Sequence, residues 1–272
     1  MTTVGIVTGA GRGMGLSCAE RLSTMVDVLL VADLDKETLA SASDALAARG
    51  SARIEPIVVD ISDADGVAGL AARAGELGTL RAVAHVAGIS PTMADWRRIF
   101  TVDLIGTALL ARELRPLVTT GTATVCFASM APVLAGIAAE PAVAEILDDP
   151  LAEGFLDAVR EAVGPSVEDP GVAYSWAKYG VKQFVRREAV RIGAAGGRIC
   201  SVSPGMIDTP QGRQEAEQHA SMQALVARTP LGRTGRPEEL AAVVAFALSD
   251  EASFLNGVDL LVDGGVCAAA RG

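Results

Sequence analysis

The sequence predicts an α/β fold: a single doubly wound Rossmann-type domain, with a seven-stranded parallel sheet between helix layers. Three observations carry this. Seven short runs are apolar at nearly every position and rich in β-branched residues, as strands covered on both faces are. The stretches between most of them space their apolar residues as helices do. A glycine-rich turn directly follows the first run.

Thr3–Thr8 (TVGIVT) is the first predicted strand, and the glycine turn leads from it into a helix. Val26–Ala32 (VDVLLVA) is the second, followed by a helix that puts Leu39, Ala42, Leu46 and Arg49 on one face. Arg53–Val59, Leu80–Val86, Thr122–Ala128 and Arg198–Ser203 are the third to sixth. A helix with Ala241, Val244, Ala245 and Leu248 on one face precedes the seventh, Val258–Val262. Strands that alternate with helices pair in parallel. Residues 1–272 therefore read as one domain, without repeats or a linker. One segment breaks the alternation. Residues 132–171 hold no strand candidate; AEPAVAEILDD and LAEGFLDAVREAV read as two helices parted by Asp148-Asp149-Pro150. So long a connection is expected to be a functional or interface-forming helical insertion.

Composition narrows the class. The 272 residues are 50% hydrophobic, with charges interspersed, which excludes a disordered chain. No uncharged apolar stretch approaches the ~20 residues of a membrane span. The N-terminus shows no secretory signal pattern, so a cytoplasmic location is expected. A net charge of −10, from 23 basic and 33 acidic residues, argues against nonspecific nucleic-acid binding. Cys18, Cys126, Cys200 and Cys267 are scattered, form no CxxC pair and accompany only 2 histidines. Reduced thiols and no metal site are expected. The chain has 48 alanines and only three lysines, Lys36, Lys178 and Lys182, a bias that a GC-rich coding sequence explains without any function.

Thr8-Gly9-Ala10-Gly11-Arg12-Gly13-Met14-Gly15-Leu16 forms the glycine turn, with spacing GxxxGxG. Glycines let a backbone turn sharply and approach a pyrophosphate, and the following helix N-terminus supplies N–H donors and partial positive charge. Such a turn also serves plain packing; its place at the first strand–helix turn favours the nucleotide. The second strand ends Val31-Ala32-Asp33-Leu34. A carboxylate there suits the two hydroxyls of an adenosine ribose and repels a 2′-phosphate. Arg12 pulls the other way, but Asp33 acts at closer range, so NAD is favoured over NADP. Asp60, at the third strand end, either meets the adenine amino group or caps the next helical turn.

Tyr174-Ser175-Trp176-Ala177-Lys178 opens a helical stretch, so Tyr174 and Lys178 share a face one turn apart. Free tyrosine titrates near ~10 and is a poor base at neutral pH. A positive charge at ~4 Å, in an effective dielectric of ~20, is worth up to ~4 kcal/mol. At ~1.4 kcal/mol per unit, that brings the phenol down by up to ~3 units. Tyr174 then becomes an acid/base candidate. A chance pairing of an exposed lysine with a half-buried tyrosine gives the same spacing.

With these residues on the page, the sequence resembles the short-chain dehydrogenase/reductase family. The matching segments are TGAGRGMG, Asp33, Ala87-Gly88 after the fourth strand, FASMA, YSWAK, SPGMIDTP after the sixth strand, and GRTGRPEELAAVVAFALSDEASFLNGVDLLVDGG near the end. Only 132–171 falls outside. The resemblance implies an NAD(P)-binding catalytic domain in which Ser129 polarises the substrate oxygen and Tyr174 is the acid/base. Lys178 holds the nicotinamide ribose and lowers the tyrosine pKa. Gly9, Gly11, Arg12, Gly13, Met14, Gly15, Asp33, Leu34, Asp60, Ile61, Ala87 and Gly88 would hold the adenosine and pyrophosphate. Pro204, Gly205, Ile207 and Thr209, with Tyr174 and Lys178, would hold the nicotinamide side. The cofactor carries the hydride while the protein moves the partner proton.

Two positions depart from the family pattern. His85-Val86-Ala87-Gly88 lacks the usual asparagine of an NAG motif, which implies altered strand contacts rather than lost chemistry. Asp103, in TVDLIG, replaces the asparagine of the proton relay. An ionised carboxylate accepts but does not donate, although the backbone carbonyl there can still hold a relay water. Ser129 and Tyr174 are 45 positions apart, much further than in most of the family. A similar insertion marks the bacterial 3-alpha-hydroxysteroid dehydrogenase/carbonyl reductase branch, which this sequence also resembles. That branch implies a bulky apolar alcohol or ketone, steroid- or terpenoid-like, and a homodimer where other members form a homotetramer. Gln211–Arg228 would form the pocket loop, with His219 and Met222 as surface and packing residues. Against the NAD-dependent secondary-alcohol oxidoreductase stand two alternatives: a non-catalytic dinucleotide-binding redox sensor, which has no need of an intact Ser–Tyr–Lys set, and an acyl-carrier-protein ketoreductase, disfavoured by Asp33 and the acidic charge.

Overall fold

The computed structural model describes residues 1–50, 52–210, 212–213 and 220–271, with the side chains of 220–223 and 271 outside that description. Gln211 and His219 lie outside the described residues, as does the Met222 side chain.

Seven strands form one parallel sheet: β1 (Thr3–Thr8), β2 (Val28–Asp33), β3 (Arg53–Val58), β4 (Thr79–His85), β5 (Ala123–Phe127), β6 (Arg198–Pro204) and β7 (Asp259–Val262). Their order is β3-β2-β1-β4-β5-β6-β7. The chain runs outward from β1 to β3, crosses back to β4, and runs outward again to β7. The order thus reverses between β1 and β4, and at such a switch point a crevice opens beyond the strand ends.

Helices cover both faces. On one side α1 (Gly13–Leu22) and α2 (Lys36–Arg49) pack on Leu29 and Val31. On the other, α3 (Ala64–Leu77) covers Val4, Ile6 and Val83. Asp35 and Asp63 cap the starts of α2 and α3 by accepting backbone N–H bonds, each cap worth about 1 kcal/mol. Next, α4 (Trp96–Phe100) runs through a π-helical turn, Thr101–Ile105, into α5 (Gly106–Leu114).

Residues 132–171 hold no strand and consist of helices joined by turns. After the short α6 (Ala131–Leu134) come α7 (Pro141–Leu147) and α8 (Phe155–Val163). Both fold onto α4 and onto the long α9 (Pro170–Gly193), which Asp169 caps. Phe155 meets Phe100 edge-to-face at 6.2 Å, Leu147 and Val159 are buried, and Asp148 pairs with Arg187 at 2.8 Å. Further along, the described residues include α10 (Ala220–Arg228), α11 (Pro237–Leu248) and α12 (Val266–Arg271). The stretch read as a pocket loop is therefore helical over Ala220–Arg228. On α11 the buried face is Leu240, Ala241, Val244, Ala247 and Leu248, so Ala247 takes the place expected for Ala245.

One expectation about the strands is corrected. β3 is not covered on both faces: Arg53, Pro56 and Val58 are exposed. β3 is an edge strand, where a proline costs no ladder bond on the open side and coverage falls off.

Candidate active site

The glycine turn fits a pyrophosphate for reasons visible in its backbone. Gly9 has φ +67°, and a Cβ there would lie 2.8 Å from the Ala87 nitrogen. A Cβ on Gly15 would lie 1.8 Å from the Gly9 carbonyl oxygen. Only glycine lets the first turn of α1 pack this tightly. That turn carries no acidic residue, and Arg12 at its start makes no side-chain cap. Its outward amides are the orphan donors that an anion satisfies.

Asp33 is held at the end of β2 by two backbone amides, Gly11 N–H at 2.8 Å and Asp35 N–H at 3.1 Å. Asp60 is also engaged. Its Oδ1 accepts from the Ser62 amide and hydroxyl at 2.9 and 2.6 Å, and its Oδ2 from Arg98 at 2.9 Å. Burial works against the charge of Asp60, but the Ser62 bonds and Arg98 outweigh it and its pKa falls. Asp60 thus binds the turn after β3 through Ser62 and also lines the crevice.

That crevice, about 300 Å³, lies along the ends of β1, β2, β3 and β4. It is lined by Gly9, Arg12, Gly13, Met14, Gly15, Asp33, Leu34, Asp60, Ile61, Ala87, Gly88 and Thr209. Gly11 acts from behind, through Asp33. Arg98, the partner of Asp60, was not legible in the sequence, because the two are 38 positions apart.

A second cavity of about 130 Å³ continues the first, sharing Met14, Gly88, Ile89 and Thr209 with it. It brings together Ser129, Tyr174, Lys178, Pro204, Gly205 and Ile207. Ser129 follows β5, and its Oγ accepts the Ala131 amide at 3.1 Å, which orients the hydroxyl. Gly205 is required where it stands, since a Cβ would lie 2.6 Å from the Asp263 Cα. Thr209 closes over the glycine turn, its Cγ2 3.3 Å from where a Gly13 Cβ would be.

Tyr174 and Lys178 share one face of α9. The Lys178 Nζ donates to the Phe127 carbonyl at 3.1 Å and lies 5.7 Å from the centroid of the Tyr174 ring. Although charged, Lys178 is only 5% exposed. Asp103, in the π-helical turn, is 1% exposed. Its Oδ1 accepts the Ile89 amide at 2.9 Å and lies 3.6 Å from the Lys178 Nζ, while its Oδ2 has no hydrogen-bond partner. Burial raises the Asp103 pKa, and Lys178 with the Ile89 amide holds that rise back. Gly88 makes room for the pair: a Cβ there would lie 2.9 Å from Asp103 Oδ1 and 3.1 Å from Lys178 Nζ.

His85 shows how the strand contacts are altered. It is buried at the end of β4 between Thr8 (Nδ1 to Oγ1, 2.8 Å) and Thr107 (Nε2 to Oγ1, 3.0 Å). The chain of bonds has one consistent direction. Thr107 donates its hydroxyl to the Asp103 carbonyl at 2.7 Å, so it must accept from His85 Nε2–H. Nδ1 is then the acceptor for the Thr8 hydroxyl, whose oxygen accepts the Ala87 amide at 3.2 Å. Both ring nitrogens are thereby used with a single proton, as a neutral imidazole requires. Burial, reinforced by Lys178, pushes the His85 pKa down to about 3. The sequence signal for it is the missing asparagine in His85-Val86-Ala87-Gly88.

Cys18, Cys126, Cys200 and Cys267 are all buried. Among the described residues, no helix is long and apolar enough to cross a membrane.

A family profile described as "Enoyl-(Acyl carrier protein) reductase" matches residues 9–143 and 160–267. The gap falls within the helical insertion. Cis-4-hydroxycyclohexanecarboxylate dehydrogenase of Sinomonas cyclohexanicum is 33% identical over 97% of this chain and 96% of its own. Meso-2,3-butanediol dehydrogenase of Serratia marcescens is 31% identical over 97% of this chain and 94% of its own. The crystal structure of levodione reductase superposes with a TM-score of 0.76 at 26% identity, covering 98% of both chains.

Proposed function

The chain belongs to the short-chain dehydrogenase/reductase family, and from that premise we propose an NAD-dependent oxidoreductase that interconverts a secondary alcohol and a ketone. The observation that carries this reading is the meeting of Ser129, Tyr174 and Lys178 in one cavity continuous with the crevice along the strand ends. When bound, the nicotinamide supplies the hydride acceptor or donor. The amides of the glycine turn and α1 would hold its pyrophosphate, Asp33 the adenosine ribose, and Lys178 the nicotinamide ribose. In oxidation, the Ser129 hydroxyl donates to the substrate oxygen and fixes its position. The Tyr174 phenolate takes the hydroxyl proton. Lys178, anchored on the Phe127 carbonyl, stabilises that phenolate.

NAD is preferred over NADP in this reading because the Asp33 carboxylate faces the crevice and a 2′-phosphate would meet it. Arg12 lines the same crevice and offsets part of that repulsion. The substrate we infer is a cyclic or short-chain secondary alcohol, in keeping with the named relatives. A steroid- or terpenoid-like substrate has only the sequence resemblance behind it. The description of the family profile favours a second reading, reduction of the enoyl double bond of an acyl-carrier-protein thioester. The net charge of −10 makes this chain a poor partner for an acidic carrier.

We place the protein in the cytoplasm, where four buried thiols stay reduced. We also propose a homodimer rather than a homotetramer, because α7 and α8 cover the face made by α4 and α9. Light scattering on the purified chain separates the two.

A panel of secondary alcohols, each offered NAD or NADP and followed by fluorescence of the reduced cofactor, tests the function. The reading expects turnover with NAD, with kcat/KM about tenfold or more above that with NADP. Preference for NADP overturns the role of Asp33. Turnover of acyl-carrier thioesters alone favours the second reading.

A further inference from the structure

We propose that Asp103 sets the pH range of the site by tempering the charge that Lys178 presents to Tyr174. The proposal rests on the reading of Tyr174 and Lys178 given above. Asp103 is in this sense a positioning residue: it acts through Lys178, not on the substrate.

Three features carry it. The Asp103 carboxylate is buried 3.6 Å from the Lys178 Nζ. Its Oδ2 has no hydrogen-bond partner, so Lys178 is the main compensation for its charge. Gly88 leaves open the space through which the two groups approach, a space that any side chain would fill. A carboxylate there without a cation would be a buried uncompensated charge, whereas the Lys178 ammonium without Asp103 still donates to the Phe127 carbonyl.

Among the described residues, no other group does the same work. From β4, His85 is neutral and hydrogen-bonded at both nitrogens. From β5, Cys126 has its thiol pushed up to about 12 by burial, and Ser129 and the Phe127 carbonyl are uncharged. One turn along α9, Lys182 is matched by Asp259 of β7 at 3.0 Å. Across the crevice, Asp60 and Arg98 are matched to each other. Among the described residues, Asp103 is thus the carboxylate that faces Lys178. Lys178 favours the Tyr174 phenolate, and a negative charge beside Lys178 takes part of that effect away. An amide of the same shape, as the family pattern has, would take none away. The site is therefore set to work at higher pH than an asparagine version of itself.

The chain has 2 tyrosines, Tyr174 and Tyr179, so Tyr179→Phe leaves Tyr174 as the sole source of tyrosinate absorbance. In that background, Asp103→Asn is titrated by near-ultraviolet difference absorbance, and its kcat/KM for alcohol oxidation is followed against pH. NADH binding reports that the variant is folded. The expected result is a tyrosinate midpoint lower by about one pH unit, with the acid limb of kcat/KM moving with it. Asp103→Ser, neutral and smaller, is expected to move the midpoint the same way. An unmoved or raised midpoint in either folded variant overturns the proposal. So does failure of both to fold, because a role in charge alone tolerates an isosteric amide. A shifted midpoint in a protein whose parent oxidises no alcohol refutes the oxidoreductase reading and leaves this one standing. Turnover with an unmoved midpoint refutes this one alone.

Discussion

The two halves of the crevice handle charge in opposite ways. In the adenosine half, every carboxylate is satisfied in advance. Asp33 accepts two backbone amides, and Asp60 accepts from Ser62 and Arg98. These groups are partly open to solvent, and the positive end of α1 is backbone. In the catalytic half, Lys178 and Asp103 are almost fully buried, and one carboxylate oxygen has no partner. A half built from satisfied, solvated groups is robust to single changes. A half built from a desolvated pair is not, because removing the cation strands the carboxylate.

The largest expected effect follows from that contrast. Lys178→Met removes the cation beside the phenol and strands Asp103. Turnover is expected to fall by about a thousandfold, and stability by about 3–5 kcal/mol, through the uncompensated carboxylate. Steady-state kinetics and thermal unfolding read the two effects. If the melting temperature does not change, the pair is not the buried ion pair described.

His85 gives the next effect, through pH. Its folded pKa of about 3 lies below the ~6.5 of a free imidazole. The folded protein therefore binds this proton less well than the unfolded chain. The contribution is complete above ~6.5 and is lost as pH falls towards the folded value, by about 1.4 kcal/mol per pH unit. Urea unfolding between neutral pH and mild acid measures the slope. His85→Gln, with an amide in place of the imidazole, is expected to remove that part of the slope, and an unchanged slope would place the acid sensitivity elsewhere.

In the adenosine half the effects are smaller and touch the cofactor. Asp33→Ala is expected to shift the NAD/NADP ratio of kcat/KM by about tenfold towards NADP, with turnover retained. Arg98→Ala removes a partly exposed ion pair worth about 0.5–1 kcal/mol and is expected to raise the KM for NAD a few fold, without changing kcat. A large loss of kcat in either variant would erase the distinction between the halves.

What could be read from the sequence follows the same division. The adenosine half is built from contiguous segments: the glycine turn, the end of β2 and the end of β3. Backbone and local side chains create its geometry, so spacing alone exposes it. Tyr174 and Lys178 were legible for the same reason, since one helical turn brings them together. The contacts that tune the catalytic half join distant segments. Asp103 meets Lys178 across the fold, and His85 reaches Thr8 and Thr107 at separations of 77 and 22. No local pattern encodes such meetings. The insertion helices were visible as amphipathic runs, but their docking on α4 and α9 depends on the Phe100–Phe155 contact, which only tertiary packing creates. The exposed face of β3 was missed because a hydrophobic run does not announce whether its strand lies at an edge.

Tyr174→Phe tests the central claim most directly. The change removes one hydroxyl from a side chain that lines the catalytic cavity and leaves the nucleotide crevice untouched. NAD-linked oxidation of the best secondary alcohol is measured beside NADH binding by fluorescence. The account predicts turnover lost by about a thousandfold or more with NADH affinity nearly unchanged. Turnover close to wild type, with NADH still bound, would contradict it.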